Sequence, residues 1–541
     1  MKTALIMLAG VTALAYPLSM HAGVTSGGVY VNSDAWNFWI HGDIAALDRE
    51  GLRKAVERDV DFYADGGGVK AVFYNMNFQR SFYPTKVGTP YWKDCAIGPD
   101  GKLTLRGKPL SAAGDEAVYR MMFNAVTNMT ARFPEYMTYR YEYCHRKGVE
   151  MWHSMRMNDI HHTPLGSEFL PQHGDLWLDH KESVRAWYRH TWRGEWNDNA
   201  LDYGRKEVYD YHLAMAREYL LDYPSDGFEF DWLRSAPVFK PGFDEKNMQL
   251  LTVFVRQVKA YALEAEKKWG RRIRLAHRVP ARVRDAYGMG MDIAAWAREG
   301  LIDVLIPGGV PGIATEGDQD IAIYRALAPK PIVIAPEIDC RVQSRPGRSI
   351  DFDQALDAGF ASGFYEQGAD SIYFYNHFPR MDSEWPWIKG FFALAADRRA
   401  VAGLARRHAL TWHQPTGEGR FTEENLPHAI WPKCCNGGVK INCGEATAGR
   451  KAHVVIGAVI PLEIDILVNT VKCPAVRRCD PASVPQSGKG ETAYYHEAEI
   501  PSRALHDGWN DIEIFNNGDV TIDPKHFLWL EVTIEANKIP R

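Results

Sequence analysis

Two carboxylates lie two residues apart in the stretch GFEFDWLR, at residues 227–234. Glu229 and Asp231 alternate with aromatic residues, so in an extended strand the two acids share one face and the aromatics the other. Burying an ionised carboxylate without a partner is costly. Glycosidic bond cleavage requires two carboxyl groups, one to protonate the leaving oxygen and one to attack or stabilise the sugar cation. The pattern therefore indicates acid and base chemistry on a buried strand.

The elements that position these acids are eight short β-rich runs with helical patterns between them. Leu52, Val56, Val60 and Tyr63 lie at the spacing of one face of an amphipathic helix. Strands that alternate with helices eight times predict a (β/α)₈ TIM barrel, an α/β fold, over residues 24–405. The eight runs are GGVYVNSD, VKAVFYNMN, GVEMWHSMRMND, DGFEFDWLR, RIRLAHRVP, DVLIPGG, PIVIAPEID and DSIYFYNHF.

Active sites of such barrels lie at the carboxyl ends of the strands, and nearly every run here ends in hydrogen-bonding groups. We expect Asp231 and Glu337 to be the catalytic pair, with Glu229 as a second acid that orients a neighbour or shifts its pKa. A further set of residues is predicted to bind substrate: Asp34, Asn75, Arg156, Asn158, Asp159, His161, Trp232, Arg234, His277, Arg278, Asp339 and Asn376.

Strands four and seven lie on opposite sides of an eight-stranded barrel, so Asp231 and Glu337 can face each other across the mouth. By analogy with other barrels, strand four supplies the general acid and base and strand seven the nucleophile, although an aspartate on strand four could equally be the nucleophile. The competing interpretation is that the acids form a buried ionic cluster with Arg156, Arg234 or Arg278.

The same arginines allow two interpretations of the substrate. Arginine forks match carboxylate and sulfate oxygens, which favours an anionic glycan; alternatively, the arginines only neutralise the catalytic acids. Aromatic residues that follow strands one and three could provide platforms for sugar rings, although most of them are expected to pack in the loops. These residues are Trp36, Trp39, Trp177, Trp187, Trp192 and Trp196.

After about residue 406 the helical patterns stop, and runs such as VKINC and AHVVIGAV follow one another with turn residues between them. This pattern predicts an all-β sandwich over residues 406–541, either a structural appendage or a carbohydrate-binding domain. Five of the eight cysteines fall in this part of the chain, which favours disulfides over free thiols there. They are Cys434, Cys435, Cys443, Cys473 and Cys479.

The N-terminal stretch MKTALIMLAGVTALAYPLSMHAG has a lysine, a short apolar run and then small residues, which predicts a signal peptide over residues 1–23 and a secreted or periplasmic protein. After this stretch the sequence contains no run of 18 consecutive apolar residues, so no membrane-spanning segment is predicted. The net charge of −5 gives a nucleic-acid partner no electrostatic support. No phosphate-binding or dinucleotide fingerprint is present, so no cofactor is predicted, and the oligomeric state stays open.

The stretch DGFEFDWLR resembles the fourth-strand signature of chitinase-type family 18 glycoside hydrolases, except that Leu233 replaces the proton-donating glutamate. A closer resemblance is to secreted bacterial barrels of glycosyl hydrolase-like family 10. Four stretches carry it: SMRMNDIHH, LDYGRKEVYDYHL, SDGFEFDWLR and MDIAAWAREGLIDVLIP. The resemblance implies a secreted (β/α)₈ glycosidase acting on a polysaccharide or oligosaccharide.

Two other functions remain open at this point. A metal-dependent carbohydrate hydrolase or deacetylase could use Asp159, His161, His162 and Asp339, although the usual spacings of zinc ligands are missing. A barrel that binds glycans without cleaving them would have the same sequence features, and only kinetics would separate it from an enzyme.

Overall fold

The structure is a computed structural model. It describes residues 27–40, 43–111, 115–159, 161, 169–186, 199–235, 238–240, 242–309, 315–345, 348–351, 353–378, 387–411, 426, 428–431, 438–458, 460–479, 494–518 and 525–537. The predicted signal peptide and the residues Trp187, Trp192, Trp196, His162, Cys434 and Cys435 lie outside these ranges.

A parallel sheet forms the first part of the protein, and each of its strands pairs with the next along the chain. The strands are β1 Val29–Ser33, β2 Val69–Asn75, β3 Glu150–Arg156, β4 Gly227–Asp231, β5 Arg274–Pro280, β6 Val304–Gly308, β7 in two segments (Val333–Ile334 and Glu337–Asp339) and β8 Tyr373–Tyr375. Strand β8 in turn pairs with β1, with Tyr30 opposite Tyr373.

The two segments of β7 close the sheet into a barrel. The first segment pairs with β6, and the second pairs with β8. Pro336, between them, cannot donate a ladder hydrogen bond, but its carbonyl accepts one from Tyr373 at 3.0 Å. The two ends of the sheet are thus two parts of one strand, and the predicted (β/α)₈ barrel is confirmed.

Helices cover the outside of this barrel, and the predicted amphipathic faces are confirmed. Leu52, Val56, Val60 and Tyr63 are all buried on the second helix. The helices are α1 Ala35–Trp39, α2 Arg49–Ala64, α3 Glu116–Arg132, α4 Tyr136–Arg146, α5 Asp175–Asp179, α6 Lys206–Asp222, α7 Met248–Trp269, α8 Val283–Gly288, α9 Ile293–Arg298, α10 Ile321–Leu327, α11 Gln354–Glu366, α12 Ile388–Ala395 and α13 Arg398–Gly403, with 3₁₀ turns at Ile44–Ala46, Lys181–Ser183 and Trp232–Ser235.

Short strands occur in the segments that follow β2 and β7. A parallel pair is formed by Arg80–Ser81 and Thr89–Pro90, and a three-stranded antiparallel sheet by Cys95–Ile97, Leu103–Leu105 and Lys108–Pro109. A two-stranded antiparallel pair, Arg341–Arg345 with Arg348–Asp351, comes directly after β7.

The barrel strands have an inner and an outer face, and β4 shows the division. Phe228 and Phe230 belong to the core between the sheet and the helices. Glu229 and Asp231 point to the inside, where β3 is aligned so that Ser154 lies opposite Glu229 and Arg156 opposite Asp231. Large side chains fill the inside below the acids, among them Tyr30, Phe73, Trp152 and Tyr373. The alternation in GFEFDWLR therefore places both acids inside the barrel, as predicted.

The remainder of the chain forms two antiparallel sheets around a separate apolar core. The strands are β9 Arg406–Ala409, β10 His428–Ile430, β11 Val439–Asn442, β12 Ala452–Ala458, β13 Ile464–Val468, β14 Val471–Lys472, β15 Arg477–Cys479, β16 Tyr494–Glu499, β17 Trp509–Asn516 and β18 Lys525–Ile534. One sheet has the order β9-β18-β12-β16-β15, with β10 also on β18, and the other has the order β11-β17-β13-β14.

The expectation of disulfides in this part needs correction for three of the five cysteines. Cys443, Cys473 and Cys479 are free thiols, and Cys443 and Cys473 are buried among apolar side chains of the sheets. These two behave as small core residues, a common role for cysteine.

Helix α11 packs directly against β9 and so joins the barrel to the sheets. A Cβ atom on Gly359 would lie 2.0 Å from the carbonyl oxygen of Arg407, so only glycine allows this close approach. Among the helices of the described residues, none is both long and apolar enough to cross a bilayer.

Candidate active site

A single guanidinium joins the two predicted catalytic acids. Arg278, on β5, donates from Nε to Glu337 Oε2 at 2.5 Å and from Nη2 to Glu337 Oε1 at 2.9 Å, while its Nη1 donates to Asp231 Oδ1 at 2.7 Å. All three side chains are at most 1% exposed. Arg278 also lies over the ring of Tyr375, 3.8 Å from its centroid. The carboxyls of β4 and β7 thus meet inside the barrel around a shared positive charge.

Burial changes the pKa of the acids in this group. It raises the pKa of Glu337 to about 7, against the opposing charge of Arg278, and the neighbouring Asp339 adds to the increase. Burial also raises the pKa of Asp339, whose two oxygens accept hydrogen bonds from Asn376 Nδ2 at 3.3 and 3.2 Å. Asn376 reaches this position from a left-handed backbone conformation, φ 61°, which asparagine tolerates better than most residues.

Glu229 lies one layer deeper in the barrel, where its surroundings favour the protonated form. Its pKa is raised to about 8, first by burial and then by the charge of Asp231. The hydroxyl of Tyr373 donates to Glu229 Oε1 at 2.6 Å. Tyr373 was not predicted to belong to the site, although it lies two residues before Tyr375 and therefore on the same inward face of β8.

Removing the ionisable group of Glu229 should flatten the dependence of stability on pH. Between pH 5 and 8 the folded protein keeps a proton on Glu229 that the unfolded chain has released, so its stability falls as pH rises, by about 1.4 kcal/mol per pH unit for one proton. Glu229→Gln should lose this contribution, and Glu264→Gln, at an exposed position, should keep it. Urea unfolding from pH 5 to 8 measures the slope, and equal slopes for Glu229→Gln and the wild type would refute the assignment.

Gly308, at the end of β6, leaves the space that the Glu337 carboxylate occupies. A Cβ atom at this position would lie 2.0 Å from Glu337 Oε2 and 2.8 Å from its carboxyl carbon. The sequence showed strand six only as a run without polar groups, and the structure shows why a side chain is missing there.

An alanine at position 308 should therefore displace Glu337 from Arg278. We expect Gly308→Ala to lower kcat about 100-fold or more, as misplacement of a reacting group by about 1 Å does. Gly390→Ala provides the control, since a Cβ atom there would meet nothing within 4 Å. Equal kcat values for the two variants would show that Glu337 does not need its present position.

A second arginine, Arg156 on β3, is also shared by two carboxylates. Its Nη2 donates to Asp34 Oδ2 at 2.6 Å, and its Nη1 donates to Asp159 Oδ2 at 2.8 Å. Burial alone would raise the pKa of Asp34 and Asp159, but nearby positive charges hold both below the usual value: Arg156 and Arg234 for Asp34, and His161 with these arginines for Asp159. Arg156 is 2% exposed, so its donors are engaged with protein acids rather than open to a substrate.

Arg234, at the mouth, forms no salt bridge with a carboxylate among the described residues, although its charge helps to lower the pKa of Asp34 and Asp159. Its Nη2 donates to His161 Nε2 at 2.5 Å and its Nη1 to the hydroxyl of Tyr375 at 3.5 Å. Because arginine can only donate, His161 Nε2 must accept, so the ring proton is on Nδ1, which lies 2.8 Å from Asp159 Oδ1. Burial and the charge of Arg234 lower the pKa of His161 against the pull of Asp159, consistent with a neutral ring. Arg234 and His161 are half-buried.

Several residues predicted to bind substrate are not brought to this group. Trp232 and His277 lie on the outer side of the sheet, where Trp232 Nε1 donates to His277 Nδ1 at 3.2 Å and His277 stacks on Phe230. Asn158 bonds to both backbone groups of Leu201 and so anchors that segment. The inner and outer alternation of the strands already assigns Trp232 and His277 to the helix side.

Asn75 points into the barrel from the end of β2, opposite Ser154. Both polar atoms of its amide are buried without a hydrogen-bond partner among the described residues. Trp39 and Trp177 are buried core residues and Trp36 is half-buried. Within the described part of the chain, no three His, Cys, Asp or Glu side chains are grouped so that they could hold a metal ion.

No family model matches the sequence, and no curated protein matches it, so the resemblance to glycosyl hydrolase-like family 10 remains an expectation. Solved structures with a similar fold include glycoside hydrolases. An alpha-amylase from Lactobacillus plantarum has 11% identity and a TM-score of 0.36, covering 91% of this chain and 99% of that one. The glycoside hydrolase domain of PgaB (BpsB) from Bordetella bronchiseptica has 12% identity and a TM-score of 0.41, covering 68% and 99%. Similarities this low say nothing about activity, so the function is inferred from the geometry of the site.

Proposed function

We propose that the protein is a glycoside hydrolase that uses Asp231 and Glu337. The observation that supports this most strongly is the pair of inward carboxyls on β4 and β7, joined by Arg278 at the carboxyl ends of the strands. Two carboxyls at one barrel mouth are the groups that an oxocarbenium-like transition state needs. Arg278 can stabilise the negative charge of Asp231 before the attack and that of Glu337 after it has given up its proton.

The hydrogen bonds favour one division of roles. Asp231 Oδ1 accepts from Arg278 and from the backbone N–H of Arg234 at 3.2 Å, whereas Oδ2 has no hydrogen bond among the described residues. Asp231 is therefore held by one oxygen and has the other available to attack the anomeric carbon. Glu337, with its pKa raised to about 7, can carry the proton that the leaving oxygen requires once one of its two hydrogen bonds from Arg278 opens. This division reverses the first expectation from the sequence, in which strand four supplied the acid.

The hydrogen-bond partners of Arg234 favour a substrate that carries one acidic group. Arg156 and Arg278 each serve two protein carboxylates, so they match the interpretation in which arginines neutralise the site. Arg234 instead donates to a neutral imidazole and a phenol at the half-buried mouth. A uronic acid carboxylate or a sugar sulfate would be a stronger acceptor than either of these groups.

The charge preference can be tested with a matched substrate pair. We expect Arg234→Gln to raise KM at least about 10-fold for the acidic oligosaccharide, the low end for a charge-assisted hydrogen bond, and to leave KM for the carboxyl-reduced or desulfated form unchanged. Arg298→Gln, on the exposed end of α9, should change neither value. Equal increases in KM for both substrates would assign Arg234 to the architecture of the site.

The activity itself is tested by incubating the protein with neutral, carboxylated and sulfated polysaccharides and identifying the products by mass. The proposal predicts shorter products carrying a new reducing end from at least one of them. Retention on a polysaccharide without any cleavage would instead support a barrel that only binds glycans.

A further inference from the structure

The second segment of β7, Glu337–Asp339, has a strand on one edge only. Among the described strands, it pairs with β8 alone. Successive residues of a strand turn their backbone groups to opposite edges, and the carbonyl of Pro336 accepts from Tyr373 on the β8 side. The backbone groups of Glu337 and Asp339 therefore point to the other edge. Buried backbone groups need partners, so whatever satisfies this edge also fixes the position of Glu337.

Side chains from residues 315–320, the segment that leads into α10, supply those partners. Gln319 Nε2 donates to the backbone carbonyl of Glu337 at 3.2 Å. Thr315 Oγ1 accepts from the backbone N–H of Asp339 at 2.9 Å and donates to the carbonyl of the same residue at 3.1 Å. Both side chains are 2% exposed. Two side chains thus take the place of a neighbouring strand along the open edge of β7.

The same segment is attached to the antiparallel sheets through Thr411, two residues after β9. The hydroxyl of Thr411 donates to Glu316 Oε1 at 3.2 Å and accepts from the backbone N–H of Gly317 at 3.2 Å. A Cβ atom on Gly317 would lie 2.9 Å from the ring of Phe360, so the segment also packs closely against α11. Thr411 and Glu316 are both buried. A continuous path of contacts therefore leads from the sheets to the backbone of Glu337.

We propose that Thr411, Gln319 and Thr315 are positioning residues through which the antiparallel sheets hold Glu337 in place. The role rests on the proposed function, because it serves proton transfer by this acid. Glu337 needs such support, since its two oxygens must stay aligned with two donors of Arg278. The sheets would then take part in the reaction without binding sugar themselves.

The kinetic test compares Thr411→Val, which removes the hydroxyl at nearly constant shape, with Thr411→Ser, which keeps it. We expect Thr411→Val to lower kcat/KM for a natural glycan about 10-fold, less than the loss caused by about 1 Å of misplacement. On an aryl glycoside whose phenol leaves without a proton, kcat/KM should stay within about twofold of the wild type. Thr411→Ser should resemble the wild type on both substrates. Equal losses on both substrates for Thr411→Val, or no loss on either, would overturn the proposal.

Hydrogen exchange of the full chain, followed by mass spectrometry, tests the same link without a substrate. In Thr411→Val, the peptide that contains Asp339 should exchange about fivefold faster than in the wild type, the factor that loss of one ordinary hydrogen bond gives. The peptide of β1 should keep its rate. Unchanged exchange at Asp339 would overturn the proposal whatever the activity. An inactive wild type in which the exchange difference is present would reject the proposed glycosidase while supporting the link between Thr411 and β7.

Gln319→Leu provides a second variant if Thr411→Val does not fold. It removes the donor to the carbonyl of Glu337 and leaves the sheets unchanged. We expect the same contrast, with a loss of kcat/KM on the natural glycan and little change on the aryl glycoside. A Gln319→Leu variant that cleaves both substrates as the wild type does would overturn the proposal.

Discussion

Asp231→Asn is expected to abolish cleavage of every substrate, lowering kcat about 1000-fold or more, because the amide cannot attack the anomeric carbon. Glu337→Gln should be as severe on natural glycans, whose leaving oxygen needs a proton. On an aryl glycoside with an acidic phenol as leaving group, Glu337→Gln should recover much of its kcat/KM, which reports the step that releases the phenol, and Asp231→Asn none. Steady-state kinetics on both substrates measures this difference, which separates an attacking carboxylate from a proton donor.

The matched control for both variants is Glu531→Gln. Glu531 is 2% exposed and accepts a hydrogen bond from Arg407 at 2.6 Å, and it lies on β18, outside the barrel sheet. Its replacement disturbs a buried ion pair of the same kind and should leave kcat unchanged. Recovery of Asp231→Asn, but not of Glu337→Gln, on the activated substrate would exchange the two roles.

Arg278→Met is expected to destabilise the fold by about 3–5 kcal/mol at pH 8, because it leaves Asp231 and Glu337 buried without their shared cation. The two carboxyls can then avoid the cost only by keeping protons that the unfolded chain releases. The loss should therefore be smaller at pH 5 than at pH 8. Urea unfolding at both pH values measures it.

Arg256→Met removes the exposed ion pair with Glu299 and should cost at most about 1 kcal/mol at either pH. If Arg278→Met cost no more than this control, the bridge between the two acids would contribute nothing to the fold. If Arg278→Met lowered the free energy of unfolding equally at pH 5 and pH 8, the two acids would not be taking up protons to offset the loss of the arginine.

The barrel and the inward position of the acids follow from local patterns. Period-two alternation determines which face Glu229 and Asp231 occupy, and it also assigns His277 to the face opposite Arg278. The same alternation assigns Trp232 to the outer face, so it argues against substrate binding by His277 and Trp232. A residue at the end of a strand can reach the mouth only if its side chain also lies on the inward face of that strand.

The partners of the arginines could not be predicted in the same way. Whether Arg156 or Arg278 binds a substrate or a protein acid depends on how far side chains reach across the barrel, and each proves to be shared by two carboxylates. The role of Gly308 depends on a contact with Glu337, which is 29 residues away in the chain.

The most direct test of the two-carboxylate account is to run the reaction in H₂¹⁸O with any glycan found to be cleaved, and to locate the label by mass spectrometry. The account predicts ¹⁸O on the anomeric carbon of the new reducing end, since water must replace the leaving sugar at that carbon. Label found in a released acyl group, with the sugar chain intact, would contradict it and indicate a deacetylase.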